Sequence, residues 1–164
     1  MARCAEGVDA DGASGAGTGR QRVTWFVGAH DHQVDDKGRV VLPAPFRDHF
    51  GPGTVVWVRD VDHVELFNAD AWQTFAERVT DHRAQGQIST KQAAEVFMNA
   101  VEVRIDAAGR FVIPERLRDK AQLGREVQVC GLGRSVVIKN RPADAADEPE
   151  LLGETAHRLD ELGL

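Results

Sequence analysis

The sequence predicts an α+β protein in which two ββαββ units, joined by a helical hairpin, close together as one pseudo-twofold β-barrel. Three observations predict it: a fourteen-residue string that recurs 71 positions later, β-rich runs separated by turn residues beside each copy, and helical apolar spacing between the copies.

The repeat sets the frame. Residues Asp35 to Asp48 lie over Asp106 to Asp119 with seven of fourteen positions identical, namely Asp, Gly, Arg, Val, Pro, Arg and Asp in that order. Leu42 over Ile113 and Phe46 over Leu117 stay apolar. The likeness continues in type from Val56-Trp57-Val58 to Val127-Gln128-Val129 and, after one extra residue, from Val64-Glu65-Leu66 to Val136-Val137-Ile138.

Each copy then reads as the same series of elements. A strand (27–34; 101–105) enters a turn in which Asp35 or Asp106 can bind backbone amides and Gly38 or Gly109 can take a positive φ. A second strand follows (39–42; 110–113), and Pro43 or Pro114 then stands at helix position N1, where a missing amide loses nothing. The short helices are expected to end at Gly51-Pro52-Gly53 and at Gly124. Paired runs (54–59 with 63–67; 126–130 with 135–139) close each unit as a hairpin, with Gly131-Leu132-Gly133 as the turn of the last one.

Between the copies, Asp70 is placed to cap a helix carrying Trp72, Phe75, Ala76 and Val79 on one face. Ser89 and Gln92 form a capping-box pattern ahead of Ala93, Val96, Phe97 and Ala100. This aromatic stripe is read as core or subunit contact. A ββαββ unit of roughly 50 residues is too small and too edge-exposed to hold a core alone, so the two copies are expected to share one. The segments are therefore a first repeat over 23–69, a helical hairpin over 70–100 and a second repeat over 101–141.

The flanks differ in composition. Residues 1–22 are Gly-rich with Val8 the one large apolar residue after Met1, and are read as a disordered extension. Residues 142–164 read as an acidic linker between Pro142 and Pro149, then a short helix with Leu152, Ala156, Leu159 and Leu162 at helical spacing, a stripe for docking on the body, the favoured reading, or for a partner.

The chain carries 20 Lys and Arg against 26 Asp and Glu, a net charge of −6, but unevenly. Residues 1–22 balance three against three, residues 141–164 hold two against seven, and 23–140 hold 15 against 16, so an acidic tail accompanies a nearly neutral body. No run approaches the ~18 apolar residues of a membrane span. Two cysteines, Cys4 and Cys130, make no disulfide framework, which points to reducing cytosol.

Enzyme chemistry finds little support. Ser14, Ser89 and Ser135 have no nucleophile motif around them, and no phosphate-binding loop is present, Gly131-Leu132-Gly133 being a turn. His30 and His32 could share a strand face as a metal pair but lack companion ligands and are read as solvated histidines. No cofactor, metal or small-molecule substrate is expected.

The turn Asp35-Asp36-Lys37-Gly38-Arg39 differs, because it gathers cations at a tip, and Arg110 repeats the arrangement with Ala108 in place of Lys37. Guanidinium groups projecting from a rigid hairpin can contact phosphate or, bidentately, a guanine edge in the major groove. The same arginines can instead pair with Asp35, Asp36 or Asp106 and merely pin the turn. Spacing leaves both readings open.

The strings Val34 to Ala44 and Ile105 to Pro114 resemble the paired D-x-K-G-R and D-x-x-G-R motifs of the MraZ family, whose halves are AbrB-type swapped-hairpin units. The resemblance covers about Trp25 to Asn140; the aromatic residue usual near Lys139-Asn140 is missing and Arg141 to Leu164 has no counterpart. It implies a bacterial, nucleoid-associated repressor of the division and cell-wall gene cluster, a ring-like homo-oligomer on direct repeats of double-stranded DNA upstream of its own operon. It further implies that Lys37, Arg39 and Arg110 contact DNA while Asp35, Gly38, Asp106 and Gly109 form the turns. The other class considered is an antitoxin-like or assembly module whose acidic segment 144–161 docks a basic partner.

Overall fold

The computed structural model describes residues 25–142 and 148–163; the segment 1–22 and the linker residues 143–147 lie outside them. The elements run β1 (Ala29–Gln33), β2 (Arg39–Val41), α1 (Ala44–Arg47), β3 (Val55–Asp60), β4 (His63–Phe67), α2 (Ala69–Ala84) and α3 (Thr90–Met98), then β5 (Ala100–Glu102), β6 (Arg110–Val112), α4 (Glu115–Lys120), β7 (Glu126–Leu132), β8 (Ser135–Asn140) and α5 (Glu148–Glu161). The fold is α+β and antiparallel throughout its sheets.

Two ladders form: a six-stranded sheet in the order β1-β7-β8-β4-β3-β5 and a two-stranded ribbon of β2 with β6. The chain trades strands between its halves. β1, from the first repeat, pairs with β7 of the second, and β5, from the second, pairs with β3 of the first. Where the halves meet, the registers are centred on Glu65 opposite Val137 in the sheet and on Val40 opposite Phe111 in the ribbon. The turns at 35–38 and 106–109 are therefore corners between ladders. They are not hairpin tips, as the sequence suggested, because the strands on either side of each turn pair with different partners.

One core serves both ladders. Val40, Leu42, Phe111 and Ile113 from the ribbon region meet Val56, Val64, Val129 and Ile138 from the sheet, with Phe46 of α1 and Leu117 of α4 between them, all buried in one cluster. Alternation dictates which residues turn inward: each strand gives the core every second side chain. The opposite face of β3 and β4 is covered by α2 and α3, where Phe67 stacks on Phe75 at 5.3 Å and meets Trp72 at 5.7 Å, and Trp57 lies 5.0 Å from Phe75.

Several local expectations change. The strand expected over 27–34 starts at Ala29, because Gly28 at φ +91° breaks it from the isolated Phe26–Gly133 bridge. That expected over 101–105 is Ala100–Glu102. Asn68, not Asp70, caps α2, accepting from the Ala71 amide at 2.9 Å; Asp70 sits inside the first turn, where an acid suits the helix dipole. The Ser89–Gln92 capping box forms as expected. Pro43 and Pro114 occupy the N-cap positions and not N1, their extended ψ of 143° and 138° completing the strand before the helix begins. The short helices stop earlier than their glycines, at Arg47 and Lys120, and after α4 it is Gln122, at φ +48°, that takes the left-handed conformation expected of Gly124. Gly131 and Leu132 belong to β7 instead of a turn; Gly131 is required there because a Cβ would strike the Phe26–Val27 backbone.

The terminal helix α5 begins at Glu148, inside the expected linker, and its described side chains, from Glu154 onward, are all exposed and not packed on the body, Leu159 at 42% and Leu162 at 62%. Its spacing is helical, but so few large apolar groups offer little area to bury against the body. No helix among the described residues is long and apolar enough to cross a membrane.

Candidate nucleic-acid interface

The two corners are built alike, bond for bond. In the first, the Gly38 amide donates to the Asp35 carbonyl (2.9 Å), and Asp35 Oδ1 accepts from the amides of Lys37 and Arg39 (2.9 Å each). Its Oδ2 accepts from Arg39 Nε at 2.6 Å. In the second, Asp106 makes the same set with Gly109, Ala108 and Arg110, the last through Arg110 Nε at 2.8 Å. Each Asp thus holds the loop backbone with one oxygen and the guanidinium with the other. The Arg39 amide, then its guanidinium and the Lys37 amide, hold the Asp35 carboxyl below its ordinary value; the Arg110 amide and guanidinium do the same for Asp106. Gly38 and Gly109 take φ of +75° and +77°, which a side chain would strain.

Both sequence readings of the arginines meet here. Arg39 and Arg110 are paired with their own turns, yet their side chains stay 40% and 50% exposed, and each meets its Asp carboxylate through Nε. A guanidinium carries five N–H donors in a planar fork, so a pair through Nε orients the group and leaves terminal amino groups able to meet a ligand. Lys37 is exposed, and among the described residues its ammonium joins no ion pair.

The ribbon fixes how these groups are displayed. Val40 and Phe111 face inward and are buried, so Arg39, Val41, Arg110 and Val112 share the outer face, with Arg39 opposite Val112 and Val41 opposite Arg110. The Leu42 amide donates to the Gly109 carbonyl (2.8 Å) and the Ile113 amide to that of Gly38 (2.9 Å), tying each corner to the far end of the other strand. The corners consequently lie at opposite ends of the ribbon, ~13 Å apart at the rise of a β-strand.

Two more arginines, which the sequence analysis did not assign to the site, brace it. Arg118 Nε donates to the Ile113 carbonyl at 3.1 Å, and its guanidinium packs where a Cβ on Gly38 would lie, 2.9 Å from that point. Arg47 holds the equivalent place against Gly109, its Nη2 directed at the Leu42 carbonyl at 3.4 Å and its Nε buried without a partner. Both were visible as one of the seven repeat identities. What the sequence lacked was the crossing by which each arginine reaches the corner of the other repeat.

The remaining candidates have structural roles. Ser89 caps α3, and the buried Ser135 hydroxyl donates to Glu65, whose carboxylate also meets Arg59 at 3.3 Å. His30 and His32 are half-buried, less solvated than expected: they turn toward the core side of β1, His30 5.4 Å from the Phe46 ring, and burial, then the His30 charge, lowers the pKa of His32. Among the described residues no group of three or more His, Cys, Asp or Glu is placed to hold a metal. Cys130 is half-buried, and its Sγ donates to Gln128 Oε1 at 3.4 Å.

Comparison with known proteins places these features in a family. Residues 25–92 and 96–141 match the family model of the MraZ protein, a family described as antitoxin-like. Among curated relatives, the transcriptional regulator MraZ of Thermomicrobium roseum is 37% identical over 128 residues, 77% of this chain and 89% of the relative. That of Roseiflexus castenholzii is 33% identical over 114 residues (69% and 79%), and that of Lachnoclostridium phytofermentans 29% over 140 residues (85% and 98%).

Proposed function

The chain belongs to the MraZ family, and on that premise we propose that it is a sequence-specific DNA-binding transcriptional regulator without catalytic activity. Its relatives carry the name of transcriptional regulators. The strand exchange between its halves supports reading the body as two AbrB-type swapped-hairpin units. The observation that carries the functional proposal is the ribbon face: two guanidinium groups, each pre-oriented by an Asp of its own turn, on a two-stranded antiparallel element.

A β-ribbon fits the ~12 Å major groove, where an arginine can bond guanine O6 and N7 together. Arg39 and Arg110 take that role, Lys37 contacts phosphate beside the first corner, and Arg47 and Arg118 keep both corners in place. Segments 35–48 and 106–119 each balance three cations against three acids, so one subunit brings little net attraction to a polyanion. Affinity then comes from several subunits engaging at once, a ring-like homo-oligomer on direct repeats spaced ~10 bp apart. The targets proposed are repeats upstream of its own operon, within the division and cell-wall gene cluster, which it represses in the cytoplasm in association with the nucleoid.

The test is a footprint on DNA upstream of the protein's own gene, comparing wild type with Arg39→Ala, together with affinity as a function of salt. Regularly spaced protection should vanish in the variant, and log affinity should fall linearly with log salt at about −0.9 per neutralised phosphate. Protection indifferent to Arg39→Ala would remove this face from the interface, and wild-type binding without a salt slope would remove DNA.

A further inference from the structure

We infer that Val41 and Val112 read thymine through its 5-methyl group, so that the ribbon recognises apolar as well as hydrogen-bonding features of the major groove. The inference rests on the DNA-binding reading above and deepens it. Val112 is 47% exposed on a strand whose next residue inward, Phe111, is buried. Val41 is its counterpart on β2, half-buried and in register with Arg110 as Val112 is with Arg39. Each rung of the ribbon's outer face therefore carries one guanidinium and one branched aliphatic group, and the pattern inverts from one rung to the next.

That placement matches what a base-pair edge offers. In the major groove guanine presents two acceptors and thymine presents a methyl group and one acceptor. A guanidinium seated on the first puts the valine of the same rung, about 5 Å across the ribbon, against a neighbouring base, where only thymine supplies an apolar surface. Leaving a valine on a polar cytosine or adenine edge would desolvate that edge without a partner. The near-twofold relation of the rungs puts the two methyl contacts on opposite DNA strands. Each protein subunit thus reads a short core holding one thymine per strand beside guanines. The partner is double-stranded DNA, in keeping with the cations that share the face.

The full-length protein is used to select duplexes from a random pool, and thymines in the selected core are replaced one at a time by deoxyuridine, which removes the methyl group alone. For wild type, deoxyuridine at the contacted position should weaken binding about fourfold, the worth of one buried methylene. Val112→Ala should bind the thymine and deoxyuridine duplexes equally, whereas Arg39→Ala should bind both more weakly but keep their ratio. A core without thymines on both strands, or wild-type affinity unchanged by every deoxyuridine, overturns the valine assignment while leaving the DNA reading intact. Discrimination retained by Val112→Ala and Val41→Ala overturns it as well. If wild type enriches no duplex at all, the DNA reading itself has failed and the assignment falls with it.

Discussion

The first and second repeats agree almost bond for bond at their corners and differ in nearly everything that faces away from them. Asp35 and Asp106 make the same four contacts, with Asp–Arg distances of 2.6 and 2.8 Å. Beyond the corners, the outer face of β3 and β4 carries Trp57 and Phe67 beneath the aromatic residues of α2, whereas Gln128 and Lys139 stand at the matching points of β7 and β8. There Gln128 bonds to Asp31 and Arg141 pairs with the same carboxylate at 3.2 Å. The difference teaches where a duplicated unit is constrained. At the centre the halves are each other's partners, and a change on one side must fit the other in register. On the outer faces one half meets a helical hairpin and the other carries half-buried polar side chains, and each answers to different demands.

The strongest way to break the comparison is at the glycines. Gly38→Ala and Gly109→Ala should each lower stability by about 1–3 kcal/mol, since both require a positive φ and both abut a guanidinium from the other repeat. Gly51→Ala, where a Cβ meets nothing, serves as the control. Urea denaturation followed by fluorescence and by circular dichroism measures this, and the two probes should report one shared transition because strands are exchanged. Two separate transitions would mean that the halves fold independently.

A smaller effect concerns acid. Asp35 and Asp106 have folded pKa values below the ordinary 3.8, so their contribution is fully present above the unfolded value and is lost as pH falls through the lower folded one. Asp35→Asn and Asp106→Asn should each lower the melting temperature at pH 7 and flatten its fall below pH ~4, by similar amounts. Unequal amounts would show that matching hydrogen-bond patterns conceal unequal corners.

The smallest effect sharpens an asymmetry of charge between the corners, Asp36-Lys37 against Ala107-Ala108. Lys37→Ala should reduce the salt slope of DNA binding by about one with little change in sequence preference, and adding Ala108→Lys should restore it. Filter binding over a range of salt separates these outcomes.

Much of this was legible in the sequence, wherever the cause was local. The repeat, the turn chemistry of Asp35 and Gly38, the Ser89–Gln92 box and the aromatic stripe of Trp72 and Phe75 all rest on contacts a few residues apart. The reading of residues 27–34 as a strand does not say which strand receives them, and β7 lies almost a hundred residues away. For the same reason Arg47 and Arg118 could be seen as repeated but not as braces. Asn68 and Asp70 are both competent caps, and the choice between them depends on where the chain leaves β4.

Strand exchange also has a consequence for synthesis. While a ribosome is still short of residue 110, β2 has no mate, β1 awaits a strand that does not yet exist, and no outward-facing pair of guanidiniums can assemble. A message broken or a chain clipped between the halves would therefore release no half-built version of the ribbon face, only a fragment with open strand edges for quality control to remove.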